Sequence, residues 1–247
     1  MTSRSMDSLA AVLQNPAIWR GGDCAPEPQA IPTGHASLDA VLPGGGWPAS
    51  ALTEIVLARE GIGELTLTLP ALARLQAQRR DIVWIAPPHV PYAPALARGG
   101  IDLARFMIVR CASLADQLWA FEQALRAPEC GAAFAWLGTA DERVLRRLQI
   151  AARDGSTWGV LWRRPAQRAI ATASPLRLAV DRCEDRLSIT VMKRRGAELA
   201  RPVMLEVDAA RIDDAAGASL QLAAAALRDP RTSAGRALAF RVKRHVA

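Results

Sequence analysis

The chain has 247 residues, of which 51% are hydrophobic and 22% are charged, a composition typical of a folded globular protein. That length excludes a small scaffold held together by disulfides. The longest stretch without acidic or basic side chains, residues 82–97, is shorter than the roughly 18 apolar residues that a membrane-spanning helix needs. Because residues 1–15 also lack the apolar run of a signal peptide, we expect a soluble, cytoplasmic protein that binds no membrane.

Predicted secondary-structure elements alternate along the chain. The sequence MDSLAAVLQN predicts a short amphipathic helix at residues 6–15, followed by a connector rich in proline and glycine. A short helix near Ser37 and a glycine turn at residues 44–46 precede an apolar strand at residues 51–57. A long helical pattern then spans residues 65–78.

The later elements predict an α/β fold. Strands are predicted over residues 81–86, 105–110, 132–137 and 158–163, and helices over residues 93–99, 114–126 and 142–153. This alternation predicts a mostly parallel sheet with helices on both faces. After Ser174, PLRLAVD, RLSITVMKRR and RPVMLEV predict three consecutive strands that extend one sheet edge in antiparallel fashion.

The spacing of the four cysteines predicts reduced thiols rather than a metal site. They lie far apart, with no CxxC pair and no histidine at ligand spacing. They are Cys24, Cys111, Cys130 and Cys183.

The loop after the first long strand lies where a phosphate-binding loop would be expected. Its sequence holds Gly61, but against the pattern GxxxxGK[ST] it keeps only the second glycine, as Gly63. Ala58 replaces the first glycine, Glu64 replaces the lysine, and Leu65 replaces the hydroxyl residue. A carboxylate repels phosphate and leucine cannot bind Mg²⁺, so we expect no bound cofactor.

Three nearby side chains keep a nucleotide alternative open. Thr66 or Thr68 could supply a hydroxyl, and Arg59 is the one nearby cation that could replace the lysine. A protein that binds ATP by this route without hydrolysing it would be a nucleotide-binding switch.

Tryptophans in loops are candidates for stacking on nucleic-acid bases. Four of the seven tryptophans fall in predicted core strands, where packing is expected: Trp84, Trp136, Trp158 and Trp162. Trp119 falls inside a predicted amphipathic helix. Trp19 and Trp47 are therefore the binding candidates.

Four sequence blocks, taken in order, resemble a known family. Residues 31–55 resemble the segment that enters the core of RecA-family recombinases, and residues 81–94 resemble the RecA strand and loop that carry the catalytic glutamate. More closely, PGGGWP, GIGELTLTLPALARL, WIAPPHVPYAPAL and the KRRG turn resemble the ImuA family, RecA-like accessory proteins of bacterial translesion synthesis cassettes. The resemblance implies a RecA-like core.

The resemblance also identifies ATPase positions that this chain has lost. The catalytic glutamate position falls on Pro88, and the Walker B acid position falls on Trp136 or Leu137. The nearest acids, Asp141 and Glu142, are predicted in the first turn of the next helix. Since the lysine and the metal-binding hydroxyl are also missing, we expect no ATPase activity and no catalytic residue.

Three regions are predicted: an N-terminal helix and linker (1–30), a RecA-like core with a degenerate P-loop (31–208), and an alanine-rich tether with a basic tail (209–247). Much of the net charge of +7 lies in that tail, where basic and apolar side chains alternate. The pattern fits either a segment that docks on a partner or DNA, or a solvated chain end. Its candidate binding residues are Arg236, Phe240, Arg241, Lys243 and Arg244.

The resemblance implies a non-catalytic accessory or scaffold protein of the SOS response to DNA damage. Its implied partners are an ImuB-type Y-family-like protein and an error-prone polymerase, with RecA as a further partner and DNA reached through the basic tail at the bacterial nucleoid. The alternatives are a cell-division inhibitor similar to SulA and the nucleotide-binding switch. The strand and helix alternation through residue 208 and the basic tail favour the accessory protein.

Overall fold

A computed structural model describes residues 29–137, 140–167, 172–196, 199 and 201–206. The helix predicted at residues 6–15 and most of the connector lie outside these residues. So do Trp19 and the whole predicted tail, with Arg236, Phe240, Arg241, Lys243 and Arg244.

Ten strands and five α-helices lie within the described part of the chain. The strands are β1 (Ala30–Ile31), β2 (Trp47–Pro48), β3 (Leu52–Leu57), β4 (Asp81–Ile85), β5 (Phe106–Val109), β6 (Cys130–Trp136), β7 (Trp158–Arg163), β8 (Leu176–Cys183), β9 (Arg186–Lys193) and β10 (Val203–Glu206). The helices are α1 (Ala36–Asp39), α2 (Leu69–Ala77), α3 (Ala93–Arg98), α4 (Leu114–Arg126) and α5 (Glu142–Asp154). The predicted alternation of strands and helices is confirmed.

Eight of these strands form one sheet in the order β5-β4-β6-β7-β3-β8-β9-β10. Neighbouring strands from β5 to β8 pair in parallel, whereas β9 pairs antiparallel with both β8 and β10. The predicted parallel sheet with an antiparallel extension at one edge is therefore confirmed. The short strands β1 and β2 form a separate two-stranded sheet.

The strand order places helices on both faces of the sheet. The chain moves towards one edge from β3 through β4 to β5 and then returns through β6 to β7. Right-handed crossovers in these two directions put α2 and α3 on one face and α4 and α5 on the other. The core under α4 and α5 contains Leu52, Phe121, Leu125, Leu145, Leu148 and Leu161.

Helix α2 begins later than the sequence pattern predicts. A 3₁₀ turn occupies Glu64–Leu67, and the α-helix begins only at Leu69. Pro70 lies in the first turn of α2, where a backbone N–H would have no partner within the helix. In a helix that began at residue 65, the N–H of residue 70 would have to donate a hydrogen bond, and proline has none. The single long helix predicted over residues 65–78 is therefore wrong.

The structure also corrects the expectation that Trp47 is free to stack on a base. Trp47 lies in β2, is fully buried, and stacks on Trp158 with ring centroids 5.1 Å apart. Two residues of strand carry too little alternation to be recognised in a sequence, which is why Trp47 was assigned to a loop. Its role is packing.

An aromatic layer continues from Trp158 across the sheet. Phe134 contacts Trp158, Trp84 and Trp162, and Trp136 stacks on Trp162 at 5.9 Å. Val83 and Ile85 belong to the core under α4 and α5. Because successive side chains of a strand point to opposite faces, Trp84 and the rest of this layer lie on the other face of the sheet. The predicted packing role of the strand tryptophans is confirmed.

Candidate functional site at the loop after strand β3

The loop after β3 leaves the carboxyl end of a strand inside the sheet, between β7 and β8. In open parallel sheets, ligands bind outside the carboxyl ends of the strands. The loop begins at Ala58, whose N–H donates to the carbonyl oxygen of Val180 at 3.0 Å. Gly61 and Gly63 have φ angles of 76° and 90°, a left-handed conformation that favours glycine. A glycine-bearing loop therefore follows β3 where the sequence pattern places it.

Glu64 turns its carboxylate back onto this loop. The N–H of Gly61 donates to Glu64 Oε1 at 3.4 Å. In a phosphate-binding loop, backbone N–H groups of this kind face the phosphate oxygens. Here the chain supplies an anion of its own at that position, and Leu65 offers no metal ligand beside it.

The two threonines that could replace the missing hydroxyl donate to the backbone instead. Thr66 Oγ1 donates to the carbonyl oxygen of Gly63 at 2.6 Å, and Thr68 Oγ1 donates to that of Leu65 at 3.1 Å. Thr68 is also fully buried. Both hydroxyls therefore stabilise the 3₁₀ turn.

A cleft of about 330 Å³ opens between the ends of β3 and β7, lined by residues 57–60 and 163–165. Arg59 lines this cleft, as the nucleotide-binding alternative requires, but Glu60 lines it as well. The Glu60 carboxylate lies 3.3 Å from Nε2 of His89 and 4.0 Å from the Arg164 guanidinium. The Arg164 guanidinium partly balances its charge.

A buried ion pair beneath the cleft was not predicted from the sequence. Arg163 Nε lies 3.0 Å from Glu54 Oε2, and both side chains are only 1% exposed. The neighbouring strand places Arg177 opposite Glu54, and Thr172 donates a hydrogen bond to the same carboxylate. The one available signal in the sequence was a glutamate in the mostly apolar run LTEIVL, with arginines in two later strands.

The two positions that the resemblance assigns to the Walker B acid hold apolar, packed side chains, whereas Pro88, at the position assigned to the catalytic glutamate, is exposed. Trp136 belongs to the aromatic layer, and Leu137 is buried in the core under α4 and α5. Asp141 caps α5 by accepting a hydrogen bond from the N–H of Val144 at 2.7 Å. Glu142 pairs with Arg146 in the first turn of the helix, as predicted, whereas Asp141 lies one residue before the helix as its N-cap.

Three of the four cysteines lie in the described part of the chain as free thiols, and Cys24 lies outside it. Burial raises the pKa of Cys130 to about 12, and its thiol donates to the carbonyl oxygen of Ala132. Burial, with a smaller effect of Asp116, also raises the pKa of Cys111. Among the residues in view, no three histidine, cysteine or acidic side chains gather to hold a metal ion, and no helix could span a membrane.

Comparison with known proteins finds similarity to SulA and ImuA. The family model for the cell division inhibitor SulA matches residues 50–159. SulA of Edwardsiella piscicida is 36% identical over 114 residues, which are 45% of this chain and 66% of that protein. ImuA of Caulobacter vibrioides is 34% identical over 140 residues, which are 53% of this chain and 57% of that protein.

More distant matches are RecA and a solved SulA structure. RecA of Streptomyces ambofaciens is 32% identical over 93 residues, which are 37% of this chain and 25% of that protein. The crystal structure of SulA from Pseudomonas aeruginosa is 26% identical and covers 47% of this chain and 98% of its own, with a TM-score of 0.41. The chain spans about two thirds of the SulA relative's length and just over half of the ImuA relative's. The homologues of this chain thus include ImuA and SulA, and its residues 50–159 match the SulA family model.

Proposed function

We propose that this chain is a non-catalytic, RecA-like accessory protein of the SOS response that serves as a scaffold in a translesion synthesis complex. Its partners are an ImuB-type Y-family-like protein and an error-prone polymerase at the nucleoid. The observation that carries this proposal is the Glu64 carboxylate at the Gly61 N–H, because a phosphate would have to displace it. The similarity to ImuA supports the choice of complex.

The charge of Glu64 is a second argument against nucleotide binding at this loop. At about 4 Å and an effective dielectric near 20, two unit charges interact by about 4 kcal/mol. Exchanging the lysine of a P-loop for Glu64 turns an attraction of this size into a repulsion. Leu65 adds the loss of the Mg²⁺ ligand.

Calorimetry with MgATP tests this step on the full-length protein. We expect no binding heat from the wild-type chain. The double variant Glu64→Lys, Leu65→Thr is the matched comparison, because it restores both residue types at the same loop. Micromolar binding by the wild type would contradict the proposal and favour the nucleotide-binding switch, with Arg59 supplying the charge.

The predicted tail supplies the partner or DNA contact in this proposal. Deleting residues 236–247 should weaken binding to the ImuB-type protein or to DNA while leaving thermal unfolding unchanged. Two full-length variants separate the contributions of charge and apolar contact. Replacing Arg241, Lys243 and Arg244 by glutamine removes the charge, whereas Phe240→Ala removes the apolar contact. Unchanged binding after the deletion would refute the role of the tail.

A second candidate function is inhibition of cell division. The SulA family model supports it, since that model matches residues 50–159. Overexpression in the source bacterium separates the two candidates. Filamentous cells would favour the inhibitor, whereas normal division together with loss of damage-induced mutagenesis in a deletion strain would favour the accessory protein.

A further inference from the structure

Strand β5 forms one edge of the large sheet and pairs only with β4 in the described part of the chain. Its four side chains are all apolar: Phe106, Met107, Ile108 and Val109. An edge strand offers N–H and C=O groups to any further strand, and proteins usually protect it with charges or proline. Strand β5 contains neither, whereas β10 at the opposite edge follows Pro202 and ends at Glu206.

One hydrogen bond shows which backbone groups of β5 point outwards. The carbonyl oxygen of Val109 accepts from the N–H of Ala86, the residue after β4, at 2.9 Å. Met107 and Val109 therefore turn their backbone groups to β4, because these groups alternate in direction along a strand. Phe106 and Ile108 turn theirs away from β4. The outer edge of the sheet thus presents two N–H donors and two carbonyl acceptors.

Exposed apolar side chains gather around this edge. Seven large apolar side chains are exposed in the described part of the chain, and three of them lie within residues 103–114: Leu103, Met107 and Leu114. Met107 is 42% exposed and lies on the same face of the sheet as Val109, which packs against the core under α4 and α5. Apolar surface gathered in one place is typical of an interaction site.

Helix α4 leaves space beside Met107. This helix crosses back from β5 to β6, and Glu122 on one of its sides pairs with α5. The side roughly opposite Glu122 faces the β5 edge and carries Gln117, Ala120 and Ala124. Because two of these three side chains are alanine, a further strand can approach β5 without meeting a row of bulky side chains from α4.

We propose that β5 is a self-association site, to which the β5 strand of a second copy of this chain adds in antiparallel orientation. The two-fold axis passes at Met107, so Phe106 of each copy lies opposite Ile108 of the other, and the two pairs exchange about four hydrogen bonds. Met107 then lies opposite Met107 of the second copy in a non-hydrogen-bonded pair, with Cα atoms about 4.5 Å apart. The inference goes beyond the proposed function and does not depend on it.

The charges that flank β5 permit this pairing. The register sets Arg105 and Arg110 opposite apolar residues of the second copy, Val109 and Ala104, so no like charges are directly opposed. The end of β5 that Arg110 of the second copy approaches carries both signs: Arg79 and Asp102 are exposed, and Arg105 pairs with Asp81 at 2.9 Å. Arg110 has no ion pair among the described residues, and the pairing brings it towards the Asp102 carboxylate.

An extended segment of another protein could use the same backbone groups. A second copy is the occupant that this edge itself specifies. Its strand supplies apolar side chains on both faces, and its arginine meets an acid at each end. A strand from a different protein is therefore treated as an alternative outcome of the test.

Sedimentation of the full-length protein at increasing concentration tests the pairing. The wild type should form a dimer, and Met107→Lys should weaken it at least tenfold because two like charges would lie opposite each other. Met107→Glu should weaken it for the same reason, whereas an equal mixture of the two variants should restore it. Met204→Lys is the matched control, since Met204 is 38% exposed on the other edge strand, and it should dimerise like the wild type. Thermal unfolding checks that each variant is folded.

A disulfide reports the register of the two strands. In Met107→Cys, two Cα atoms about 4.5 Å apart fall within the range that a disulfide spans. Mild oxidation should therefore link residue 107 of one copy to residue 107 of the other, as mapped by mass spectrometry of the peptides. Val90→Cys, at a position 71% exposed in a loop, should give no such link.

Three results would overturn the inference. If the wild type stays monomeric at every concentration, β5 does not bind a second copy; weaker binding of Met107→Lys to the ImuB-type protein would then assign the edge to a strand of that partner. If Met107→Lys dimerises like the wild type, the dimer forms elsewhere on the protein. If the lysine and glutamate variants do not restore the dimer when mixed, Met107 does not lie opposite itself. None of these results affects the proposed function.

Discussion

Neutralising Glu54 should destabilise the protein strongly, because this carboxylate is the buried partner of Arg163. The substitution Glu54→Gln keeps the side-chain volume and removes the charge. The guanidinium of Arg163 is as deeply buried as the carboxylate it faces, and Arg177 lies opposite on the next strand. The variant would therefore remove the buried negative charge that faces Arg163.

The expected loss follows from that burial. Breaking a fully buried pair by removing one partner costs about 3–5 kcal/mol, because the remaining charge is neither hydrated nor compensated. For a domain of this size each kcal/mol lowers Tm by about 2–4 °C, so a decrease of about 10 °C is expected. At an m-value near 2 kcal/mol/M, the urea midpoint should fall by about 2 M.

Urea unfolding followed by circular dichroism measures this loss, and a double-mutant cycle assigns it to the pair. Arg163→Met should also destabilise, and the double variant Glu54→Gln, Arg163→Met should lose less than the two single changes added together. A single-variant loss below about 1 kcal/mol, or strict additivity in the double variant, would show that the two side chains do not stabilise each other.

Three smaller predictions concern other elements. Gly46→Ala should lower stability by about 2 kcal/mol or more in thermal unfolding, because its Cβ would lie 2.2 Å from the Ile31 carbonyl oxygen; an unchanged Tm would refute this. Asp141→Ala should cost about 1 kcal/mol through loss of the α5 cap, with Asp141→Asn retaining most of it. Burial raises the pKa of Cys130 from 9.0 to about 12 in the folded chain, so between these pH values only the unfolded chain loses this proton. Stability should therefore fall as pH rises, by at most about 1.4 kcal/mol per unit, and Cys130→Ala should reduce this slope.

Local patterns were sufficient to predict most of the fold. The boundaries of α4 and β7 agree with the prediction, because both are set by signals within the element: a serine cap before Leu114 and an unbroken apolar run ending at Arg163. The start of α2 was missed although Pro70 was visible, because the apolar periodicity continues through the 3₁₀ turn. Periodicity reports which residues face the core, whereas the backbone donors decide where a helix can begin.

The chemistry of the site could be predicted only where it depends on residue type. The replacements at Glu64 and Leu65 were evident from spacing, but the return of the Glu64 carboxylate to the Gly61 N–H depends on the turn geometry. The pairing of Glu54 with Arg163 joins residues 109 positions apart. It requires the strand order, which places β7 beside β3, and no local pattern contains that information.

The aromatic layer gives this protein a built-in optical probe of its core. Its indole rings lie about 5–6 Å apart within two groups, one of Trp47 and Trp158 and one of Trp84, Trp136 and Trp162. The electronic transitions of neighbouring rings therefore couple and should produce a strong near-ultraviolet circular dichroism signal. A soluble quencher would reach Trp119 while leaving the emission of Trp47 and Trp158 intact. Loosening of the two-stranded β1–β2 sheet would expose Trp47 to this quencher, so it would be seen spectroscopically without any attached label.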